Sequence, residues 1–373
     1  MDDKDSKESI DLVERHFNMP QMLVERGVSR RDFMKFCTAM AAALALPVSL
    51  APKIAEALEA DGRPSVIWLE FQSCTGDTEA LLRAANPTVG EIVLDILSID
   101  YAETIMAAAG HQAEETKMKT LKERSGKYIA IVEGSIPLKD NGVYCCIGGK
   151  SAVDIAREVC GGAMATITVG TCASYGGIPA AAPNPTGAVG VKDAVPAATV
   201  LNLPGCPVNT DNLVATVVHF LTFGKLPAVD GKGRPLFAYG KRIHDNCERR
   251  PHFDAGQYVE TWGSQAHRNG HCLYKMGCKG PETFHNCPIQ RYNEKTSWPV
   301  GAGHGCAGCS EPQFWDTMTP FYKRLPNVPG FGIESTADKI GTGLAVATAA
   351  AFAAHGVVSG FRHGDESEGS KGE

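Results

Sequence analysis

Thirteen cysteines in 373 residues constrain this chain more than any other feature. Six of them fall between 247 and 309, where Gly, Pro and charge are frequent and hydrophobic periodicity fades. Little regular structure is expected from 234 to 312. A loop region of that length inside a compact domain needs something else to order it. Disulfides, zinc and iron–sulfur clusters are the candidates. Zinc favours two compact C-x-x-C pairs, and only Cys306/Cys309 has that spacing. A disulfide framework suits an exported chain but gives no role to His244, three residues before Cys247. Iron–sulfur clusters draw thiolates from scattered loops and accept a histidine in place of one. Their binding also contributes folding free energy. The pattern favours iron–sulfur.

The first half reads differently. Short apolar runs at 65–71, 91–101, 128–136, 165–170 and 199–204 are expected strands. Helices are expected at 79–86, 102–124, 151–160 and 211–223. Such alternation implies an α/β fold, a doubly wound parallel sheet covered on both faces. Ligands in such sheets bind beyond the carboxyl ends of the strands. Cys74, Cys172 and Cys206 each follow an expected strand, so three distant cysteines would meet at one sheet edge. No G-x-G-x-x-G follows the first strand, which leaves a nucleotide site weakly supported; the glycine pairs read instead as tight turns and close backbone approach. The net charge of −6 argues against a nucleic-acid partner.

Both termini look like addresses. Ser29-Arg30-Arg31-Asp32-Phe33-Met34-Lys35 precedes an apolar run over 36–51, and Ala55-Glu56-Ala57 offers a small-residue cleavage site. This order reads as a twin-arginine signal peptide over 1–57, with the twin-arginine translocase as partner. That route exports folded proteins, which suits a cofactor inserted before export. Near the other end, 340–361 carries no formal charge. At ~1.5 Å per residue its 22 residues reach about 33 Å, enough for a bilayer core. It is read as a single C-terminal transmembrane anchor, with 362–373 as a polar tail. Arg362 and His363 follow it, consistent with a cytoplasmic end. His355 inside the span is a functional candidate facing a membrane partner.

These residues together resemble the small, iron–sulfur subunit of membrane-bound uptake nickel–iron hydrogenases. The likeness runs from 29 to 361. It takes in the export signal, 68–82, Gly170-Thr171-Cys172-Ala173-Ser174, Gly205-Cys206-Pro207, His244-x-x-Cys247 and the cysteine-rich second half. It implies a flavodoxin-like domain over 58–223 and a loop-rich iron–sulfur domain over 224–335. It implies two 4Fe–4S clusters and one 3Fe–4S cluster. The proximal 4Fe–4S cluster falls to Cys74, Cys172, Cys206 and position 77. The distal 4Fe–4S cluster falls to His244, Cys247, Cys272 and Cys278. The medial 3Fe–4S cluster falls to Cys287, Cys306 and Cys309, with Pro299 where a fourth cysteine would complete a cubane. The family's commonest pattern is C-T-G-C, whereas this chain reads Cys74-Thr75-Gly76-Asp77. The expectation is that Asp77 ligates the fourth iron as a harder donor than thiolate.

The resemblance further implies electron relay from H2 oxidation in a nickel–iron large subunit to a membrane cytochrome b or quinone-reactive protein. The site would lie at the periplasmic face of the cytoplasmic membrane, and the chain alone would not activate H2. Cys145, Cys146 and Cys160 have no cluster to serve and are read as packing. His271 and His304, beside cysteines, are read as supporting or solvated. Glu79 and Glu133 are read as solvated carboxylates or interface ion pairs. Two rival readings are an exported, disulfide-stabilised binding protein and the iron–sulfur subunit of a related quinone-linked dehydrogenase.

Overall fold

The computed structural model describes residues 29–59, 63–85, 87–325 and 333–368. The polar lead-in at 1–28 and the last five residues of the tail lie outside the described residues. The chain divides into one unit through Arg324 and a second from Leu325.

Five parallel strands form the centre of the first unit. They are β1 (Ser65–Glu70), β2 (Ser98–Ala102), β3 (Tyr128–Glu133), β4 (Ala165–Val169) and β5 (Val200–Leu203). Their spatial order is β2-β1-β3-β4-β5. This is the flavodoxin-like doubly wound order, which reverses direction between β1 and β3 and opens a crevice there. Every residue of β1, β3 and β4 is buried. Because side chains alternate faces, Val66, Trp68, Ile129 and Ile131 enter one core, while Ile67, Leu69, Ala130 and Val132 enter the other. Burial on both faces explains why these strands read as unbroken apolar runs rather than alternating ones.

Helices cover both faces. From the N-terminus they are α1 (Arg30–Ala43), α2 (Ala51–Glu59), α3 (Gly76–Leu82), α4 (His111–Glu123), α5 (Ala152–Gly162), α6 (Gly170–Tyr175) and α7 (Thr210–Phe223). Side-chain caps start several of them. Ser151 accepts the Asp154 N–H at 3.3 Å, and Asn209 accepts the Asn212 N–H at 3.3 Å. Leu213, Val214, Val217 and Val218 of α7 pack into the first core; Ile155, Ala156 and Val159 of α5 pack into the second.

Two expected elements are shorter than the sequence pattern suggested. Residues 91–101 are not one strand. Thr88 and Glu91 form a capping box that starts a helical turn at Val89–Glu91, a wide turn follows over Ile92–Ile96, and only Ser98–Ala102 is extended. The helix expected over 102–124 begins at His111. The stretch expected to be an export signal takes part in the fold. Its α1 and α2 bury Phe33, Cys37, Met40, Leu44, Ile54 and Ala55 in the same core as α7.

Between Gly224 and Arg324 the described residues form only helices of three to five residues, as the fading periodicity suggested. A small apolar cluster of Ile243, Val259, Leu273, Trp298 and Val300 includes Cys287 and Cys306. In the second unit, α8 (Ile333–Glu368) carries the apolar stretch. All its described side chains, Leu344, Val346, Phe352 and Val357 among them, are exposed. Among the described residues no helix is long and apolar enough to cross a membrane, so the expected span at 340–361 finds no support here.

Candidate metal centres

The carboxyl ends of the strands hold the first donor set. Cys74 lies just past β1, Cys172 opens α6 after β4, and Cys206 follows β5. Asp77 sits in the first turn of α3 and is buried. The four are neighbours: the charges of Asp77 and Cys74 bear on both Cys172 and Cys206. Burial pushes the Cys172 thiol up to about 11 and the Cys206 thiol up to about 12. Asp77 is raised to about 7, first by burial and then by the Glu133 carboxylate. The Val208 N–H opposes this by donating to Asp77 Oδ1 at 2.5 Å.

Backbone room around these donors is reserved by glycine. Gly177 has φ +54°, and a Cβ there would stand 2.6 Å from Cys172 Sγ. Gly170, at φ +82°, could carry no Cβ without striking the Asp77 carboxylate. Both positions require left-handed backbone, which glycine adopts without strain.

Glu133 organises this edge, and its reading as a solvated carboxylate is corrected. It ends β3 and is fully buried. It accepts the Asp77 N–H at 3.1 Å, the Thr78 N–H at 2.8 Å, the Thr78 hydroxyl at 2.7 Å and the Ser73 hydroxyl at 2.6 Å. One carboxylate thus pins both flanks of Cys74 and the start of α3. A lone Glu at a strand end gave no sequence signal for this. Glu79, by contrast, is half exposed and pairs with Arg83 on the surface.

The second set lies in the loop-rich half. His244, Cys247, Cys272 and Cys278 line one internal cavity together with Arg249, Tyr274 and Val300. Burial holds the His244 imidazole down at about 4, so it is neutral at physiological pH, the form that binds metal. Burial raises Cys247 to about 11 and Cys272 to about 12. The Arg249 N–H donates to Cys247 Sγ at 3.4 Å.

The third set, Cys287, Cys306 and Cys309, lines a larger cavity of about 1510 Å³. Pro299 and Cys206 share its wall. Burial raises all three thiols. The Gly308 N–H donates to Cys306 Sγ at 3.4 Å. His285, missed in the sequence, is buried with Nδ1 2.9 Å from both the Cys287 N–H and Cys287 Sγ. The H-x-C spacing was the only available cue.

The three sets adjoin. The Cys206 backbone N–H donates to the Cys309 thiol, and the Thr171 hydroxyl beside Cys172 donates to the Cys309 carbonyl. At the other end the Cys306 N–H donates to Cys278 Sγ at 3.3 Å. No cysteine is disulfide-linked. Among the described residues no three His, Cys, Asp or Glu side chains converge closely enough for a single metal ion. Unpaired thiols, most of them buried or half-buried, a neutral buried imidazole and donors set around cavities together fit polynuclear iron–sulfur groups.

Other cysteines and histidines fall outside these sets. Cys160 is fully buried in the second core, Cys145 is half-buried against it, and Cys146 is exposed. The packing reading therefore holds for Cys160 and fails for Cys146. His271 stacks on His252, and His304 stacks on Trp262. His355 is exposed on α8.

Comparison with known proteins matches two family models. One is the C-terminal model of the NiFe/NiFeSe hydrogenase small subunit, over residues 239–322; the other is that of the NADH ubiquinone oxidoreductase 20 Kd subunit, over 74–220. The uptake hydrogenase small subunit of Azotobacter vinelandii is 47% identical, covering 90% of this chain and 94% of the relative. The quinone-reactive Ni/Fe-hydrogenase small chain of Wolinella succinogenes is 48% identical, covering 91% and 98%. Among solved structures, a reduced, active Ni-Fe-Se hydrogenase from Desulfomicrobium baculatum superposes with a TM-score of 0.67. It is 34% identical, covering 71% of this chain and all of that one.

Proposed function

The chain belongs to the small-subunit family of nickel–iron hydrogenases, of the uptake and quinone-reactive kinds, and on that premise we propose that its three adjoining donor sets hold three iron–sulfur clusters. As a hydrogenase small subunit it is the electron-transferring member of an oxidoreductase and pairs with a nickel–iron large subunit. Cys74, Asp77, Cys172 and Cys206 would hold a proximal 4Fe–4S cluster. His244, Cys247, Cys272 and Cys278 would hold a distal 4Fe–4S cluster. Cys287, Cys306 and Cys309 would hold a medial 3Fe–4S cluster. When bound, such clusters supply one-electron redox steps.

The chain's own residues prepare that role. Burial raises eight of these thiols, Cys172 and Cys206 in the first set and every cysteine of the other two, so cluster assembly must displace protons. Neutral His244 contributes no charge to the distal set, which raises the potential there relative to four thiolates. The N–H donors on Cys247, Cys278 and Cys306 stabilise sulfur that has lost its proton. The observation that carries the reading is the pair of contacts Cys206–Cys309 and Cys306–Cys278, which link the first set to the third and the third to the second.

The organisation follows from the same reading. Residues 1–57 are a twin-arginine signal, 58–223 carry the proximal set, and 224–335 carry the medial and distal sets. The mature body sits at the periplasmic face of the cytoplasmic membrane. The uncharged stretch at 340–361 would be the anchor. A membrane cytochrome b or quinone-reactive protein receives the electrons. The test is metal and EPR analysis of the complex purified from membranes. Nickel in a co-purifying partner, iron with acid-labile sulfide, and one three-iron signal are expected. A colourless protein, or thiols paired with one another, overturns the reading.

A further inference from the structure

Residues 29–57 belong to the fold in an unexpected way. Helices α1 and α2 place Phe33, Cys37, Met40, Ala41, Leu44, Ala51, Ile54 and Ala55 in the core that α7 forms with the sheet. Met40 is 4% exposed, and Cys37 and Ile54 are fully buried. The same helices help line the large cavity: Phe33, Phe36, Ala39 and Met40 line it together with Gly76 and Ala80. Cys206, Cys287, Cys306 and Cys309 open into that cavity too. Meanwhile Arg31, half of the export motif, is exposed.

Cleavage after Ala57 removes this wall. It would uncover apolar side chains of α7 beside the openings of two donor sets. Soluble proteins rarely leave a contiguous apolar patch of that kind bare, and such patches mark partner surfaces. The mature chain therefore needs another cover at this place. The partner of matching need is the nickel–iron large subunit, whose electrons must enter beside Cys74 and Cys206. A cover for this wall also closes the cavity on the cysteine side to water.

We infer that the export leader occupies in cis the seat that the large subunit takes in trans, so that docking of the large subunit releases the leader. This inference rests on the hydrogenase reading and on leader cleavage near Ala57. Linkage makes the competition reciprocal: by whatever factor the large subunit loosens the leader, the leader weakens the large subunit's binding. An undocked leader then reports an assembled pair, and a docked one marks a small subunit still alone.

The test follows Cys37, the leader's single cysteine, in the full-length precursor with its clusters assembled under anaerobic conditions. N-ethylmaleimide modification is read by mass spectrometry on the tryptic peptide 36–53, which holds no other cysteine. A Met40→Asp/Ile54→Asp precursor undocks the leader without touching the mature sequence. Cys37 is expected to react at least tenfold more slowly in the lone precursor than in this variant. Addition of the large subunit is expected to raise the native precursor's rate tenfold or more. The mature chain, 58–373, should bind the large subunit at least tenfold more tightly than the precursor does. Equal Cys37 rates in the lone precursor and the variant overturn the inference, because the leader is then not docked. Continued protection in a co-eluting complex also overturns it, because both then fit at once. So does self-association of the mature chain through this face in place of large-subunit binding. A mature chain that binds no nickel-containing partner at all removes the hydrogenase reading itself, which separates the two failures.

Discussion

Replacing Arg234 with Met tests the joint between the two halves of the fold. Arg234 and Glu311 are 3% and 4% exposed and meet at 2.8 Å. Arg234 also holds Asp230 at 2.8 Å and donates to the Ser310 carbonyl at 3.3 Å. Glu311 further accepts Lys232 at 2.6 Å and the Phe284 N–H at 2.8 Å. The pair therefore ties 230–234, beside β5, to the segments that carry Cys287 and Cys309. Removing Arg234 leaves the enclosed Glu311 with only the more exposed Lys232 as counter-charge, and breaking a buried pair in this way costs roughly 3–5 kcal/mol. At about 2–4 °C per kcal/mol for a large domain, the melting temperature should fall roughly 6–20 °C. Scanning calorimetry of the anaerobic complex measures this, with iron content and the three-iron EPR signal as a second readout. Both should fall, because Cys309 loses its anchor. A paired Arg234→Met/Glu311→Leu variant should recover part of the loss, since the most enclosed charge goes with its partner and only the more exposed Asp230 and Lys232 are left unpaired. Were the single variant to shift melting by less than about 2 °C, or the double to lose the sum of both singles, the coupling between these side chains would be refuted.

Three further outcomes follow from the site. Asp77→Ala should change the proximal-cluster EPR spectrum, and an unchanged spectrum removes Asp77 as a ligand. Gly177→Ala combines a strained φ of +54° with a Cβ 2.6 Å from Cys172 Sγ. It should lower iron content as well as stability, the latter by about 1–3 kcal/mol, read by iron assay and urea denaturation. Glu103 is raised from 4.5 to about 7, chiefly by burial, with the Glu70 N–H donating to it at 2.9 Å as the main opposing contact. Its folded value lies above its unfolded one, so its contribution is complete below pH 4.5 and is lost as pH rises through 7. That loss is about 3 kcal/mol. Glu103→Gln should therefore flatten the fall in stability between about pH 5 and pH 8, and an unaltered pH profile counts against this assignment.

The conditions under which sequence pattern succeeds are visible in particular elements. β1, β3, β4 and β5 were legible because strands buried on both faces must be continuously apolar. The segment at 91–101 was not, because Thr88 and Glu91 cap a helical turn whose apolar residues imitate a strand's. Cys74, Cys172 and Cys206 were legible because each sits directly after a strand, and parallel topology gathers strand ends. Glu133 was not, because nothing in the local sequence says that a carboxylate will be fully enclosed and satisfied by N–H and hydroxyl donors from 73–78.

The sequence alone determined the donor inventory, the alternation that builds a parallel sheet, and the apolar segments near the ends. These depend on local chemistry and on periods of two or a few residues. Only the tertiary structure decided adjacency: that Cys309 lies against Cys206, that Cys306 reaches Cys278, and that the leader packs beside α7. Such contacts join positions tens to more than a hundred residues apart. They are set by how buried surfaces and ion pairs close on one another, a property that no local window of residues carries.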